Sequence, residues 1–159
     1  MDIGQFFTVT DLFGIVPEII QTVTALSVLA LEMAHIFHPR IILIVAALGL
    51  LLAGAVVIQT SGDEQILFGG MLVLNQYSTF FDFLYIFIGL MTLIFSQGYL
   101  EKKGSPSRGE YPALILFAVI GMMLMTRAND LVIVFLGLEL LSLSLYVLVG
   151  FLRQDHFSN

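Results

Sequence analysis

Apolar residues run in long blocks along this chain, and polar residues collect in the short intervals between them. Five blocks stand out, at about 12–34, 41–59, 79–99, 111–127 and 130–152. A helix of roughly 20 apolar residues crosses the ~30 Å hydrocarbon core of a bilayer. A crossing segment must also satisfy its own backbone hydrogen bonds, which a helix does. The pattern therefore predicts an all-α integral membrane fold, a single membrane domain over residues 1–159 with about five transmembrane helices. Pro17 falls in the first turns of the first block, where a missing N–H is best tolerated.

The intervals add to the picture. His38-Pro39-Arg40 is a tight link between the first two blocks, and Ser61-Gly62-Asp63-Glu64 opens an acidic turn after the second. The stretch from Gln65 to Gln76 is mildly apolar, contains Gly69-Gly70 and is too short to cross; it predicts a strand-like hairpin or a surface helix. The strongly hydrophilic loop is 101–108, and the turn from Thr126 to Asp130 is so short that the fourth and fifth spans should be antiparallel neighbours. There is no internal repeat, low-complexity tract or soluble domain.

Composition agrees with this reading. The chain is 58% hydrophobic and 11% charged, against about 25% charged for a typical soluble domain. With only six Lys and Arg there is no basic patch, and nucleic acid is not an expected partner. Cysteine is absent, which removes disulfides, thiolate metal sites and cysteine nucleophiles; tryptophan is absent too, leaving Tyr and Phe for the interfacial positions. The first residues lack the positive region of a secretory signal, and the chain is read as mature from Met1. Five spans with an outside N-terminus put Arg40, Lys102, Lys103, Arg108 and Arg153 on the inner side and Arg127 alone on the outer side, as the positive-inside rule requires.

Against this apolar background, Glu139 is the residue that points to chemistry. It lies about nine residues into the last span, some 13 Å along a helix axis, near the bilayer midplane. Placing an acid there costs on the order of 2.5–3.5 kcal/mol, and intramembrane ionisable groups commonly mark ion or proton pathways. Ser142 and Tyr146 follow on the same helical face and are candidates to hydrogen-bond the carboxyl group or order a water beside it. The competing reading is a Glu satisfied by those hydroxyls in a static bundle.

Other polar residues carry weaker signals. Glu18 and Asp82 stand in the first turns of their spans and read as interfacial acids. Glu32 and His35 are one turn apart, but a metal site needs more ligands than two, so a solvated pair is expected. His38 and His156 are loop residues. Asp130 is placed to cap the last span, and Arg127 is expected to pair with Asp130 or with a lipid phosphate. Met122-Met123-Leu124-Met125 reads as packing and lipid contact. Gly49, Gly54, Gly89, Gly121 and Gly137 permit close helix approach. Gly69-Gly70 lacks the residues of a phosphate loop.

Four runs carry a resemblance: Glu110-Tyr-Pro-Ala-Leu-Ile-Leu-Phe117, Gly121-Met-Met-Leu-Met125, Ala128-Asn-Asp-Leu131, and Phe135-Leu-Gly-Leu-Glu139-Leu-Leu-Ser142-Leu-Ser144-Leu-Tyr146. Together they resemble the N-terminal portion of chain N of NADH-quinone oxidoreductase, that is, subunit 2 of respiratory complex I, an antiporter-like membrane subunit. The likeness is dense over the last two spans, moderate over the third and loose over the first two. Ser144 stands where the family commonly has proline.

The resemblance implies that Glu139 is the acid of the fifth helix, paired with a lysine two helices later, and that charge movement along such pairs drives protons outward. The family's intramembrane lysines have no counterpart here, since Lys102 and Lys103 both lie in a loop. The implied partners are the other complex I membrane subunits, the lipid bilayer, and a second chain supplying the later helices. The implied location is an energy-coupling membrane, bacterial or mitochondrial, with the N-terminus on the outer side. No quinone, flavin, iron–sulfur or nicotinamide site is visible, so no cofactor is expected on this chain. It is expected to act as a non-redox part of a translocase, with no independent catalysis. The alternatives are a structural or assembly subunit without proton transfer, and a component of a related cation/proton antiporter or membrane-bound hydrogenase.

Overall fold

The computed structural model describes residues 9–34, 39–62, 64–102 and 109–150. Within them, a short helix α1 (Val9–Gly14) precedes α2 (Val16–Met33) and α3 (Pro39–Thr60). A two-stranded antiparallel hairpin follows, β1 (Gln65–Leu67) and β2 (Leu72–Leu74), and then α4 (Gln76–Lys102), α5 (Glu110–Arg127) and α6 (Leu131–Gly150). The five long helices are each long and apolar enough to cross a membrane and coincide with the five blocks of the sequence. Pro17 sits at the start of α2 and Pro39 begins α3, positions where the ring removes only an N–H that no helical carbonyl would have taken.

The helices α2, α3, α4 and α5 pack in a ring, each against the next, with α5 closing back onto α2. Ala25, Val28, Ala46, Leu50, Ala53, Leu93, Leu116, Val119 and Met123 fill its centre. The helix α6 stands outside the ring and leans on α5. The shares of buried residues make the difference plain: 56% for the membrane-crossing part of α5 and 11% for that of α6. Small residues set the spacing. A Cβ on Gly121 would stand 2.7 Å from the carbonyl oxygen of Gly137, and one on Gly137 would stand 2.9 Å from that of Gly121. Only a pair of glycines lets the two backbones approach so closely. Gly49 against Thr24, and Gly89 against Val119 and Leu50, repeat the device on a smaller scale, while Gly54 keeps an ordinary 3.7 Å from Ile86.

Of the two structures expected for 65–76, the hairpin is the one formed. Three consecutive residues with positive φ, Phe68 (51°), Gly69 (63°) and Gly70 (98°), reverse the chain, which explains the glycine pair. Phe68 has a Cβ and is held in this region with a strong anchor, its N–H donating to Asp11 Oδ1 at 2.9 Å. Leu67, Leu72 and Leu74 are buried against Ile15 and Ile133, so the hairpin lies across one end of the bundle. Asn129 fastens it there: its N–H donates to the Met71 carbonyl at 2.9 Å and its Nδ2 to the Gly70 carbonyl at 2.8 Å.

The turn between α5 and α6 is as tight as its sequence requires. Asp130 Oδ1 accepts the Val132 N–H at 2.7 Å, the N-cap expected of it. Asp130→Ala should lower stability by about 1 kcal/mol, as is typical for losing an N-cap. Comparing the thermal unfolding of the purified variant with that of Asp130→Asn, which keeps the acceptor, checks this.

Candidate functional site

Glu139 lies on the third turn of α6, about 12 Å from its start, close to the middle of that 20-residue helix. Its helix places it on an exposed face, among exposed Phe135, Leu136, Leu138 and Leu143. Ser142 is half-buried one turn further on, and Tyr146 is 72% exposed. Neither hydroxyl is hydrogen-bonded to the Glu139 carboxyl group among the described residues. Glu139 is thus not enclosed in the ring. It is an acid at mid-helix, pointing away from α5 and surrounded by leucine. A bare carboxylate on such a face in lipid is costly, which favours a protein surface covering it.

A second group of charged residues is fully enclosed. Arg127, in the last turn of α5, is 2% exposed; Glu18, in the first turn of α2, is 6% exposed; Asp82, in the second turn of α4, is 0% exposed. The Arg127 Nε and Nη2 both donate to Asp82 Oδ2, at 3.0 and 2.6 Å. Its Nη1 donates to the Gly14 carbonyl at 2.9 Å and stands 2.6 Å from Glu18 Oε1. That last contact is an ion pair off the hydrogen-bond axis, so both Glu18 oxygens remain without a hydrogen bond, as do Asp82 Oδ1 and Gln21 Oε1. One turn deeper, Gln21 Nε2 donates to Met123 Sδ at 3.2 Å, joining α2 to α5 beneath the ion pairs. Beside them the Tyr85 and Thr126 hydroxyls are 2.9 Å apart.

The helix ends suit these charges. The positive end of a helix dipole favours the acid on α2, and the negative end favours the guanidinium on α5. The hairpin and α1 close over the group. Leu67 and Leu74 pack on Gly14, where a Cβ would come within 2.1 Å of Leu67 Cδ1, and the same glycine's carbonyl receives Arg127.

This arrangement corrects one expectation and extends another. Arg127 pairs neither with Asp130 nor with a lipid phosphate: Asp130 turns its oxygen to the α6 N-terminus, and Arg127 reaches α4 and α2. Glu18 and Asp82 do stand in the first turns of their helices, and they are the enclosed partners of that guanidinium. The clue in the sequence was that Arg127 is the one basic residue assigned to its side, with an acid near the same end of two other spans. Glu32 is half-buried near the end of α2, while His35, read as its partner, lies outside the described residues with His38, His156, Lys103, Arg108, Arg153 and the Lys102 side chain. Among the described residues, no group of three or more His, Cys, Asp or Glu is placed to hold a metal.

No family model matches the chain. Individual relatives do, and over its whole length. It is 34% identical over 160 residues to NADH-quinone oxidoreductase subunit N 1 of Solibacter usitatus, an alignment that covers 100% of this chain and 33% of the relative. It is 38% identical over 149 residues to NADH-quinone oxidoreductase subunit N of Dehalococcoides mccartyi, covering 93% of this chain and 30% of that one. The protein of the same name from Trichlorobacter lovleyi is 32% identical over 163 residues, again covering 100% of this chain and 33% of the relative. The chain is a partial-length homologue of NADH-quinone oxidoreductase subunit N. It spans about a third of the length of these curated relatives. The likeness to subunit N and the five membrane-crossing helices together make it a multi-pass membrane protein. In subunit N terms, both Glu139 and the enclosed ion pairs lie in the shared region, because the alignments reach from one end of this chain to the other.

Proposed function

We propose that this chain forms the N-terminal part of a membrane subunit of proton-translocating NADH-quinone oxidoreductase, in which Glu139 is a proton-transfer group. The observation that carries the reading is the position of Glu139: an acid at the middle of a membrane-crossing helix, on the face that its own bundle leaves exposed. An acid so placed is useful where a further helix brings it a proton donor or a cation. The tight Gly121–Gly137 crossing supports the same reading, since it fixes the azimuth of α6 and therefore the direction in which Glu139 points.

In this reading the partners are further helices that cover α6, together with the other membrane subunits of the enzyme. Ser142 and Tyr146 follow Glu139 along the covered face, where a hydroxyl or an ordered water relays the proton. The redox reaction and its cofactors belong to other subunits. The hairpin end of the bundle faces the outer side, and the end at which α4 finishes and α5 begins faces the inner side.

The test is Glu139→Gln in the native membrane. The amide keeps the size and the hydrogen-bonding capacity of the carboxyl group but carries no exchangeable charge. Assembly with the other subunits should be unchanged, and NADH-driven proton pumping, followed by quenching of a pH-sensitive dye, should fall at least several-fold. Unchanged pumping in the assembled variant, or failed assembly with no separate pumping defect, would instead identify a structural subunit. Co-purification with the soluble subunits of a hydrogenase or a cation/proton antiporter would place the chain in a different enzyme.

A further inference from the structure

The enclosed group around Arg127 contains two carboxyl groups and one guanidinium, all from membrane-crossing helices. With both acids ionised it holds one net negative charge in a site where no component is more than 6% exposed. Among the described residues, nothing around it offers a second cation. Asp11 on α1 accepts the Phe68 N–H, Asp130 caps α6, and Glu64 after α3 is exposed. Among the described residues, the remaining titratable neighbour is Tyr85 on α4, at hydrogen-bond distance from Thr126. An uncompensated charge in a dry interior costs several kcal/mol, and such sites commonly neutralise themselves.

The geometry distinguishes the two acids. Asp82 receives two guanidinium N–H groups on one oxygen, the arrangement of an ionised carboxylate. Glu18 has a single guanidinium nitrogen, 2.6 Å from Oε1 and off the hydrogen-bond axis, and nothing on Oε2. An ionised carboxylate only accepts, whereas a carboxylic acid also donates. Two further oxygens of the enclosed group lack a donor. Gln21 is 0% exposed, sits one turn along α2 on the same side as Glu18, and has an unpartnered Oε1; Asp82 Oδ1 is unpartnered as well.

We propose that Glu18 is a proton-binding site, carrying one proton that makes the enclosed Glu18–Arg127–Asp82 group neutral. The proton comes from water and forms one O–H bond on Glu18; no other bond is made or broken, and the formal charge of the group rises from minus one to zero. Glu18 then gains a donor to offer to the orphaned oxygens, and Arg127 remains paired with Asp82. The site lies at the hairpin end of α2, on a different helix from Glu139, and the inference does not depend on the role proposed for Glu139.

Infrared spectroscopy of the purified full-length chain, labelled with carboxyl-13C glutamate, reads this directly. A protonated glutamate gives a carbonyl stretch that is well separated from the ionised form and shifted by the label. At neutral pH the labelled wild type should show this band, Glu18→Gln should lose it, and Glu139→Gln should keep it. Thermal unfolding gives an independent reading. Glu18→Gln mimics the protonated state and should melt close to the wild type, whereas Asp82→Asn weakens the charge-paired state and should melt clearly lower. Absence of a labelled band in the wild type overturns the proposal whether or not Glu18→Gln folds. So does a band that is undiminished in Glu18→Gln or disappears in Glu139→Gln, or a melting order in which Glu18→Gln is the less stable of the two variants.

Discussion

Replacing Arg127 by leucine should destabilise the chain by about 3–5 kcal/mol, the range expected when one member of a buried ion pair is removed. The guanidinium joins three elements at once: α4 through Asp82, α2 through Glu18, and the break between α1 and α2 through the Gly14 carbonyl. Without it, Asp82 is left 0% exposed and unpaired, and the Gly14 carbonyl loses its donor. Since a net stability of 5–15 kcal/mol is typical, the variant should accumulate poorly and melt far below the wild type. The measurement is the thermal midpoint in detergent of Arg127→Leu, of Asp82→Leu and of the double variant. The double variant should recover part of the loss, because the Asp82 charge is no longer stranded while the Gly14 carbonyl and Glu18 still lack the guanidinium. Equal melting of Arg127→Leu and wild type would mean that the enclosed ion pairs hold nothing together.

The second large effect is expected at the α5–α6 crossing. Gly121→Val places a branched side chain where a single Cβ already meets the Gly137 carbonyl at 2.7 Å and the Leu141 nitrogen at 2.9 Å. Both are backbone atoms and cannot rotate away, so the helices must separate, at a cost of about 1–3 kcal/mol. Gly54→Ala is the control. Its new methyl would find Ile86 at an ordinary 3.7 Å, and alanine favours the helix by roughly 0.5–1 kcal/mol over glycine. Thermal midpoints should therefore move in opposite directions for the two variants. A cysteine pair across the crossing, tested for cross-linking in each background, reports whether α6 has moved away from α5.

Much of this architecture could be read from the order of residues. Apolar blocks of the right length give the spans because bilayer thickness leaves few alternatives, and Asp130 is a cap because its side chain precedes an apolar run directly. Both are local signals. The hairpin was half legible: Gly69 and Gly70 marked a reversal, but the choice between strand and surface helix depends on Leu67, Leu72 and Leu74 finding Ile15 and Ile133, which lie far away in sequence. The ion pairs were not legible at all as a unit. Arg127 is 45 residues from Asp82 and, on α2, finds Glu18 much further back, and no periodicity connects them. Each looked like an ordinary charge near the end of a span. The direction in which Glu139 points was hidden for another reason. The helix α6 is apolar on every side, so its sequence does not tell which face meets α5; the glycines at 121 and 137 decide it.

The order in which the enclosed charges leave the ribosome has a consequence for biogenesis. Glu18 is synthesised first, then Asp82, and the guanidinium that pairs them arrives only with the end of α5. Until then the nascent chain holds two acids in membrane-crossing segments without a counter-charge, and nothing yet ties α2 and α4 together across the ring. The insertion of α5 is accordingly the step that commits the bundle to its final form. A chain stalled before residue 127 should be a substrate for membrane quality control, and one stalled just after α5 has emerged should already be protected from it.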